Sequence, residues 1–123
     1  MRINESGGGP VHLAPFPDGP SVEVLVDDGV EGRQLASAKV TLAPGAAMPE
    51  HDHGESEALV ISIAGELVFS GADGEQRLTP GAVGHIARGE RVRVENRSDQ
   101  ESSMMVVFTP PSFVRALMDW PVS

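Results

Sequence analysis

The sequence predicts a single all-β domain, a sandwich or barrel built from short strands. Fourteen Gly and ten Pro interrupt the chain at short intervals. Between them lie runs of about four to eight residues rich in Val, Ile, Leu and Thr, a rhythm typical of all-β folds. The length of 123 residues suits one domain with one ordinary hydrophobic core.

The chain divides into a flexible lead and irregular arm over 1–20, a barrel over 21–110, and a helix with a tail over 111–123. Residues 1–20 contain GGGP and PFPDGP, which are too rich in Gly and Pro for regular structure. Alternation of apolar and polar residues, bounded by turn residues, predicts the strands. They are expected over 21–27, 34–42, a short segment ending at 53, 57–63, 66–70, 75–78, 82–87, 92–95 and 104–109.

The tail alone has a helical pattern. A short amphipathic helix is predicted over 112–120, with Ser112 as its N-cap and Pro121 as its end. Its apolar face, at a spacing of three to four residues, comprises Phe113, Ala116, Leu117 and Trp120. We expect this helix to dock on the outside of the barrel.

Composition and charge exclude several classes of partner and site. The formal charge of −9 opposes binding to nucleic acid or to anionic membranes. The absence of Cys excludes disulfides and thiolate chemistry. No apolar run approaches the roughly 18 residues of a membrane span, and the N-terminus lacks the pattern of an export signal. A cytoplasmic protein is therefore expected.

His51 and His53 are the first candidate site. They are two residues apart on a segment predicted to be extended, so both imidazoles should project from the same face. Such a pair can bind one divalent transition metal, with Fe, Mn, Ni, Zn and Cu all suited to imidazole nitrogen. A nearby carboxylate would add an oxygen ligand.

Three carboxylates are candidates for this oxygen ligand, namely those of Glu50, Glu55 and Glu57. In the following strand Leu59, Ile61 and Ile63 are large and apolar, whereas the alternate residues include a hydroxyl. The odd-numbered residues are therefore expected to face inward, and Glu57 is in phase with them. An inward carboxylate is costly unless it is paired or coordinated, which favours Glu57 as the third ligand.

The run Gly45, five residues, His51, one residue, His53, three residues, Glu57 resembles the first motif of the cupin family. Gly65 resembles the glycine that closes this motif. The stretch from Gly81 through Gly89 to Asn96 resembles the second motif, so the resemblance covers roughly residues 20–110. It implies a double-stranded β-helix, or jelly-roll barrel, in which the two His and the Glu bind a metal ion.

The sequence departs from the cupin pattern at two places. Seven residues separate Glu57 from Gly65 where six are usual, so counting back from the glycine puts Ala58 at the glutamate position. We favour Glu57 because of its phase, and place the extra residue in a β-bulge near Ala64. The second departure is Val92, which is expected to face inward at the position of the family's last histidine ligand.

His85 is the candidate to replace the missing histidine. It lies in the strand predicted over 82–87, in phase with Val83 and Ala87, which would turn it toward the metal. The alternative is that His85 packs in the core or bonds to a backbone carbonyl.

Two classes of function remain open, because one barrel fold hosts many chemistries. The first is a metal-dependent enzyme of oxygenase, isomerase or cyclase type acting on a small organic molecule. The second is a binding or sensor protein for a small molecule, with a structural or degenerate metal site. A homodimer is expected in either case.

Overall fold

The computed structural model describes all 123 residues as ten strands, a 3₁₀ turn and one short α-helix. The strands are β1 His12–Leu13, β2 Ser21–Val26, β3 Ala36–Leu42, β4 Ala47–His51, β5 Glu57–Ala64, β6 Leu67–Gly71, β7 Gly74–Leu78, β8 Val83–Ile86, β9 Val92–Glu95 and β10 Ser102–Thr109. The 3₁₀ turn spans Pro111–Phe113, and the helix α1 spans Val114–Met118.

The strands form two antiparallel sheets that face each other, which confirms the predicted jelly-roll barrel. The larger sheet has the order β1-β2-β3-β10-β5-β8, and the smaller one has the order β4-β9-β6-β7. Strand β3 shows the expected alternation, with Ala36, Ala38, Val40 and Leu42 buried and the residues between them partly exposed. Apolar side chains from both sheets meet in one core.

Strand β5 has the opposite phase to the predicted one. Ala58 and Val60 are buried, at 1% and 3% exposure, whereas Leu59 and Ile63 are 41% and 45% exposed. Small residues fit inside because Phe108 of the neighbouring strand, paired with Ala58, already fills the interior. The prediction that Glu57 faces inward is therefore wrong.

The predicted β-bulge near Ala64 is present. Ser103 pairs with Ala64 but the next residue, Met104, pairs with Ser62, so one residue of β5 is extra. Gly65 follows with φ +74°, and a Cβ there would lie 2.2 Å from the Ser102 hydroxyl oxygen. This close approach, together with the left-handed backbone, requires glycine after the bulge.

The C-terminal segment 111–120 closes one end of the barrel instead of docking on its outside. The 3₁₀ turn starts without a side-chain cap, so Ser112 is not the N-cap that the sequence predicts, and α1 is shorter than the predicted helix. Leu117 of α1 is 4% exposed, and Phe113 packs against the hydrophobic core. We call residues 111–120 the C-terminal cap.

The N-terminal arm contains strand β1, which the sequence pattern does not indicate. His12 is 6% exposed, and its Nδ1 donates to the carbonyl of Trp120 at 2.9 Å. The Leu13 amide donates to the carbonyl of Pro121 at 2.7 Å. The arm therefore fastens the end of the C-terminal cap to the large sheet.

No helix in the structure has the length and hydropathy needed to cross a bilayer.

Candidate functional site

His51 and His53 lie together inside the barrel, at the end of strand β4. Their ring centroids are 4.8 Å apart and the ring planes are nearly perpendicular, at 79°. His51 pairs with Val92 of β9, which fixes the end of the strand. Beyond the pair, Asp52 Oδ1 accepts a hydrogen bond from the Gly54 amide at 2.8 Å and helps the chain to reverse.

The two histidines are the only ionisable side chains that line an apolar cavity inside the barrel. Of its 18 lining residues, 15 are hydrophobic. They come from both sheets and from the C-terminal cap. The cavity has a volume of about 40 Å³, which is room for about three water molecules.

Hydrogen bonding differs sharply between the two imidazoles. Nδ1 of His51 donates to the carbonyl of Pro49 at 2.7 Å, which leaves Nε2 as the ring nitrogen available to a ligand. His53 is 7% exposed, and its Nδ1 is buried without any hydrogen-bond partner. Burial, and secondarily the nearby His51, lowers the pKa of His53 to about 4, while Asp52 opposes the shift. His53 is therefore neutral at physiological pH.

Phe113 of the C-terminal cap covers the imidazole pair. Its ring lies 4.9 Å from the His53 ring in an edge-to-face arrangement and is stacked over His51 at 6.5 Å. Phe108 of β10 completes the aromatic group at 5.3 Å from Phe113. Leu117 and Trp120 extend this cover over the cavity. Access to the histidines from this end consequently depends on the position of the cap.

Glu57 and His85 are not brought to the imidazole pair. They lie on the outer face of the large sheet, where His85 Nε2 is 2.7 Å from Glu57 Oε2. Both side chains are about half exposed, at 51% and 56%. The prediction that His85 faces inward is wrong for the same reason as that for Glu57, because β8 pairs with β5 and shares its phase.

The positions where the cupin pattern places the remaining ligands carry apolar side chains. Val92 is 6% exposed and lines the cavity, as predicted, while Ala58 is buried at 1% exposure. No group of three or more His, Cys, Asp or Glu side chains is placed to hold a metal ion. The residues present therefore do not fit a metal ion held by a complete set of protein ligands.

The fold and this interior define a small jelly-roll barrel protein whose candidate site is the inside of the barrel. The chain belongs to the cupin family: the family model described as a cupin domain matches residues 38–108, more than half of the chain. The family membership that the spacing of Gly45, His51 and His53 indicates is thus confirmed. No curated protein sequence matches the chain.

Solved structures agree with the chain in fold at low sequence identity. A Cupin 2 conserved barrel domain protein from Salinispora arenicola superposes with a TM-score of 0.74 at 19% identity, covering 96% of each chain. The polyketide cyclase RemF from Streptomyces resistomycificus gives 0.76 at 18%, covering 89% of this chain and 79% of the other. A predicted oxalate decarboxylase from Thermotoga maritima gives 0.77 at 19%, covering 89% and 99%. These neighbours include enzymes of unrelated activities, so the likeness extends to the fold alone.

Sequence reasoning missed the residues that enclose the site. Phe113, Leu117 and Trp120 were recognised as one helical face, but their contact with the imidazoles was not predicted. The sequence pattern also does not indicate that His12 bonds to the carbonyl of Trp120. The signal available in the sequence was the aromatic content of that face, since two aromatic side chains can bury a large apolar area.

Proposed function

We propose that this protein binds a small, mostly apolar molecule inside its barrel, and that His51 and His53 recognise the polar group of that molecule. The observation that carries the proposal is the unpaired Nδ1 of His53 in an otherwise apolar cavity. A buried nitrogen without a partner costs about 1–3 kcal/mol. Groups kept in that condition are commonly explained by a ligand or a functional role.

The charge of the cavity favours an uncharged ligand. No Lys, Arg, Asp or Glu lines it, and His53 is neutral because its pKa is lowered to about 4. A carboxylate or phosphate would lose its hydration without gaining an opposite charge. A hydroxyl or carbonyl group, in contrast, can be satisfied by the two imidazoles, whose ring nitrogens can donate and accept hydrogen bonds.

Binding requires the C-terminal cap to move. Pockets for small organic ligands have volumes of about 300–1,000 Å³, whereas this cavity has about 40 Å³. The polar contacts that fasten the cap are chiefly those from His12 to Trp120 and from Leu13 to Pro121, and the ion pair of Arg115 with Asp28 at 3.0 Å. An opening of this short segment would break these contacts and enlarge the cavity.

Phenol and toluene form a matched pair of probes for this proposal, since they differ chiefly in a hydroxyl group. We expect phenol to bind about three- to tenfold more tightly in NMR titrations, the value of one hydrogen bond to an imidazole. His53→Leu should remove this preference while retaining toluene binding. His85→Leu, on the outer face, is the matched control and should behave as the wild type. Equal affinity for both probes, or a preference that survives His53→Leu, would contradict the proposal.

A metal-dependent enzyme of oxygenase, isomerase or cyclase type is the second candidate, and the orientation of His51 favours it. Donation from Nδ1 of His51 to the carbonyl of Pro49 is the arrangement that directs Nε2 of metal-binding histidines. Fe, Mn, Ni, Zn or Cu would have two protein ligands and would need further ligands from water or substrate.

Calorimetric titration with Fe, Mn, Ni, Zn and Cu, each as its divalent ion, tests this second candidate. If the imidazole pair binds the metal, His51→Ala abolishes the heat of binding, while Glu57→Gln and His85→Ala preserve it. Loss in all three variants would instead support the four-residue ligand set predicted from the sequence. Absence of binding to the wild-type protein for all five metals would exclude the second candidate.

A further inference from the structure

A second cavity lies in the gap between the two sheets, where their end strands face each other. Strand β7 ends the small sheet and β8 ends the large one, and the two strands are not paired with each other. The cavity between them has a volume of about 150 Å³. We call it the lateral pocket, and it is lined chiefly by Gln76 and Leu78 of β7 and by Ala82, Gly84 and Ile86 in and beside β8.

Small inward residues beside the end of the large sheet create this space. Gly84 pairs with Val60 and Ile86 pairs with Ala58, and the buried partners show that these positions face inward. Ala82 is in phase with them, so two of the three inward positions carry Ala or Gly. A Cβ at Gly84 would lie 2.7 Å from Cγ2 of Val60. The absence of a side chain there therefore leaves room between the sheets.

A partition of side chains separates the lateral pocket from the cavity that holds the imidazole pair. The residues that line both cavities are Val60, Phe69, Ile86 and Val92. Three of them are buried and β-branched, which restricts rotation about χ1. Phe69 is unbranched at Cβ and only partly buried. Phe69 is thus the member of the partition whose rotation can join the two cavities.

The polar groups at the mouth of the lateral pocket are already engaged within the protein. Its ionisable side chains are those of Arg77, His85 and Glu90. The first two bond to carboxylates, and the third accepts a hydrogen bond from a backbone amide at 2.9 Å. A charged ligand would have to displace these partners, whereas a hydrocarbon chain requires only the apolar wall. The lateral pocket therefore suits an uncharged chain.

We propose that the lateral pocket is a second compartment of the binding site, which receives the hydrocarbon chain of a ligand whose hydroxyl group is bound by the imidazole pair. The proposal rests on the proposed function for the hydroxyl end of the ligand. A cavity of about 150 Å³ can hold a benzene-sized group, and a chain of about four carbons has a similar size. A straight chain is favoured because rotation of Phe69 alone opens a narrow passage. The ligand class is thus an uncharged phenol or alcohol with a short straight alkyl chain.

NMR titrations with phenol, para-ethylphenol and para-butylphenol test the proposal. Each methylene group transferred from water to the lateral pocket should raise the affinity about fourfold, so para-butylphenol should bind at least about 50-fold more tightly than phenol. Nuclear Overhauser contacts should join the terminal methyl group of the butyl chain to Ala82 and Leu78. Contacts of that methyl group with Leu117 and Trp120 of the C-terminal cap would instead overturn the proposal.

Ala82→Leu fills the lateral pocket, and Ala87→Leu is its matched control. With phenol as the reference in each protein, Ala82→Leu should reduce the gain for para-butylphenol to less than about fivefold. Ala87 is exposed and lines neither cavity, so Ala87→Leu should keep the gain of the wild type. Circular dichroism checks that both variants are folded. An equal gain in Ala82→Leu and the wild type would contradict the proposal.

Toluene and butylbenzene separate this proposal from the proposed function. If toluene binds as tightly as phenol, recognition by the histidines fails. The lateral pocket is still supported in that case if butylbenzene binds more tightly than toluene and Ala82→Leu removes this gain. If phenol is preferred to toluene but neither series gains affinity with chain length, the lateral pocket alone is overturned.

Discussion

Replacement of His53 by Leu should stabilise the ligand-free protein, although it alters the candidate site. The imidazole is 7% exposed and its Nδ1 has no partner. Removing a buried unpaired polar group gains about 1–3 kcal/mol. The loss of ring contacts with Phe108 and Phe113 opposes this by about 0.5–1.5 kcal/mol. A net gain of about 1 kcal/mol is expected at pH 7, equivalent to roughly 3–5 °C in Tm.

The same histidine should make the stability of the wild type depend on pH. Its pKa is lowered by burial from 6.5 to about 4, so between these values the unfolded chain binds a proton that the folded protein excludes. Stability is then fully present above about pH 6.5 and falls as the pH decreases toward 4. Between about pH 7 and pH 5 the wild type should lose about 2 kcal/mol relative to His53→Leu.

Urea denaturation of both proteins at several pH values, after treatment with a chelator, measures this difference. Carboxylate titrations are common to both proteins and cancel in the comparison. His85→Leu, which removes an exposed imidazole from the outer sheet face, should follow the wild type across the whole pH range. The reasoning would be refuted if His53→Leu were less stable than the wild type at pH 7 and showed the same dependence on pH.

Three further variants test the framework of the site. Gly65→Ala should lower stability by about 2–4 kcal/mol in urea denaturation, because φ is +74° and the new Cβ would lie 2.2 Å from the Ser102 hydroxyl oxygen. Asn96→Leu should cost about 2–4 kcal/mol in the same assay, since the buried amide donates to two backbone carbonyls at 2.9 and 2.7 Å. The double variant Ala58→Glu/Val92→His should raise Ni²⁺ affinity at least about 100-fold in calorimetry, because it supplies a carboxylate and a third imidazole from buried positions. Unchanged affinity would mean that these positions do not converge on the imidazole pair.

The barrel was predictable because its strands obey local rules. Apolar and polar residues alternate from Ala36 to Leu42, which predicts that the apolar side chains face inward. The structure shows this alternation of burial. Gly65 and the bulge beside Ala64 could be located because the chain has one residue more than the family motif between Glu57 and Gly65. The strand has to accommodate that extra residue before the turn. These features depend on residues close together in the chain.

The enclosure of the site was not predictable in the same way. Phe113 covers His53, and His12 holds the carbonyl of Trp120, through contacts between residues far apart in the sequence. Helical periodicity indicates that a face is apolar, but it does not say which surface of the barrel that face meets. The tail therefore looked like an external helix, whereas it is the wall of the cavity.

The error in the phase of β5 has a physical cause. Large apolar residues were expected inside because an outward side chain usually meets water, yet Leu59 and Ile63 are outward and the small Ala58 is inward. The interior is narrow and is filled from the neighbouring strand by Phe108, while the outer face is free to carry bulk. The expectation that the larger apolar side chains of a strand face inward assumes that its outer face is in contact with water.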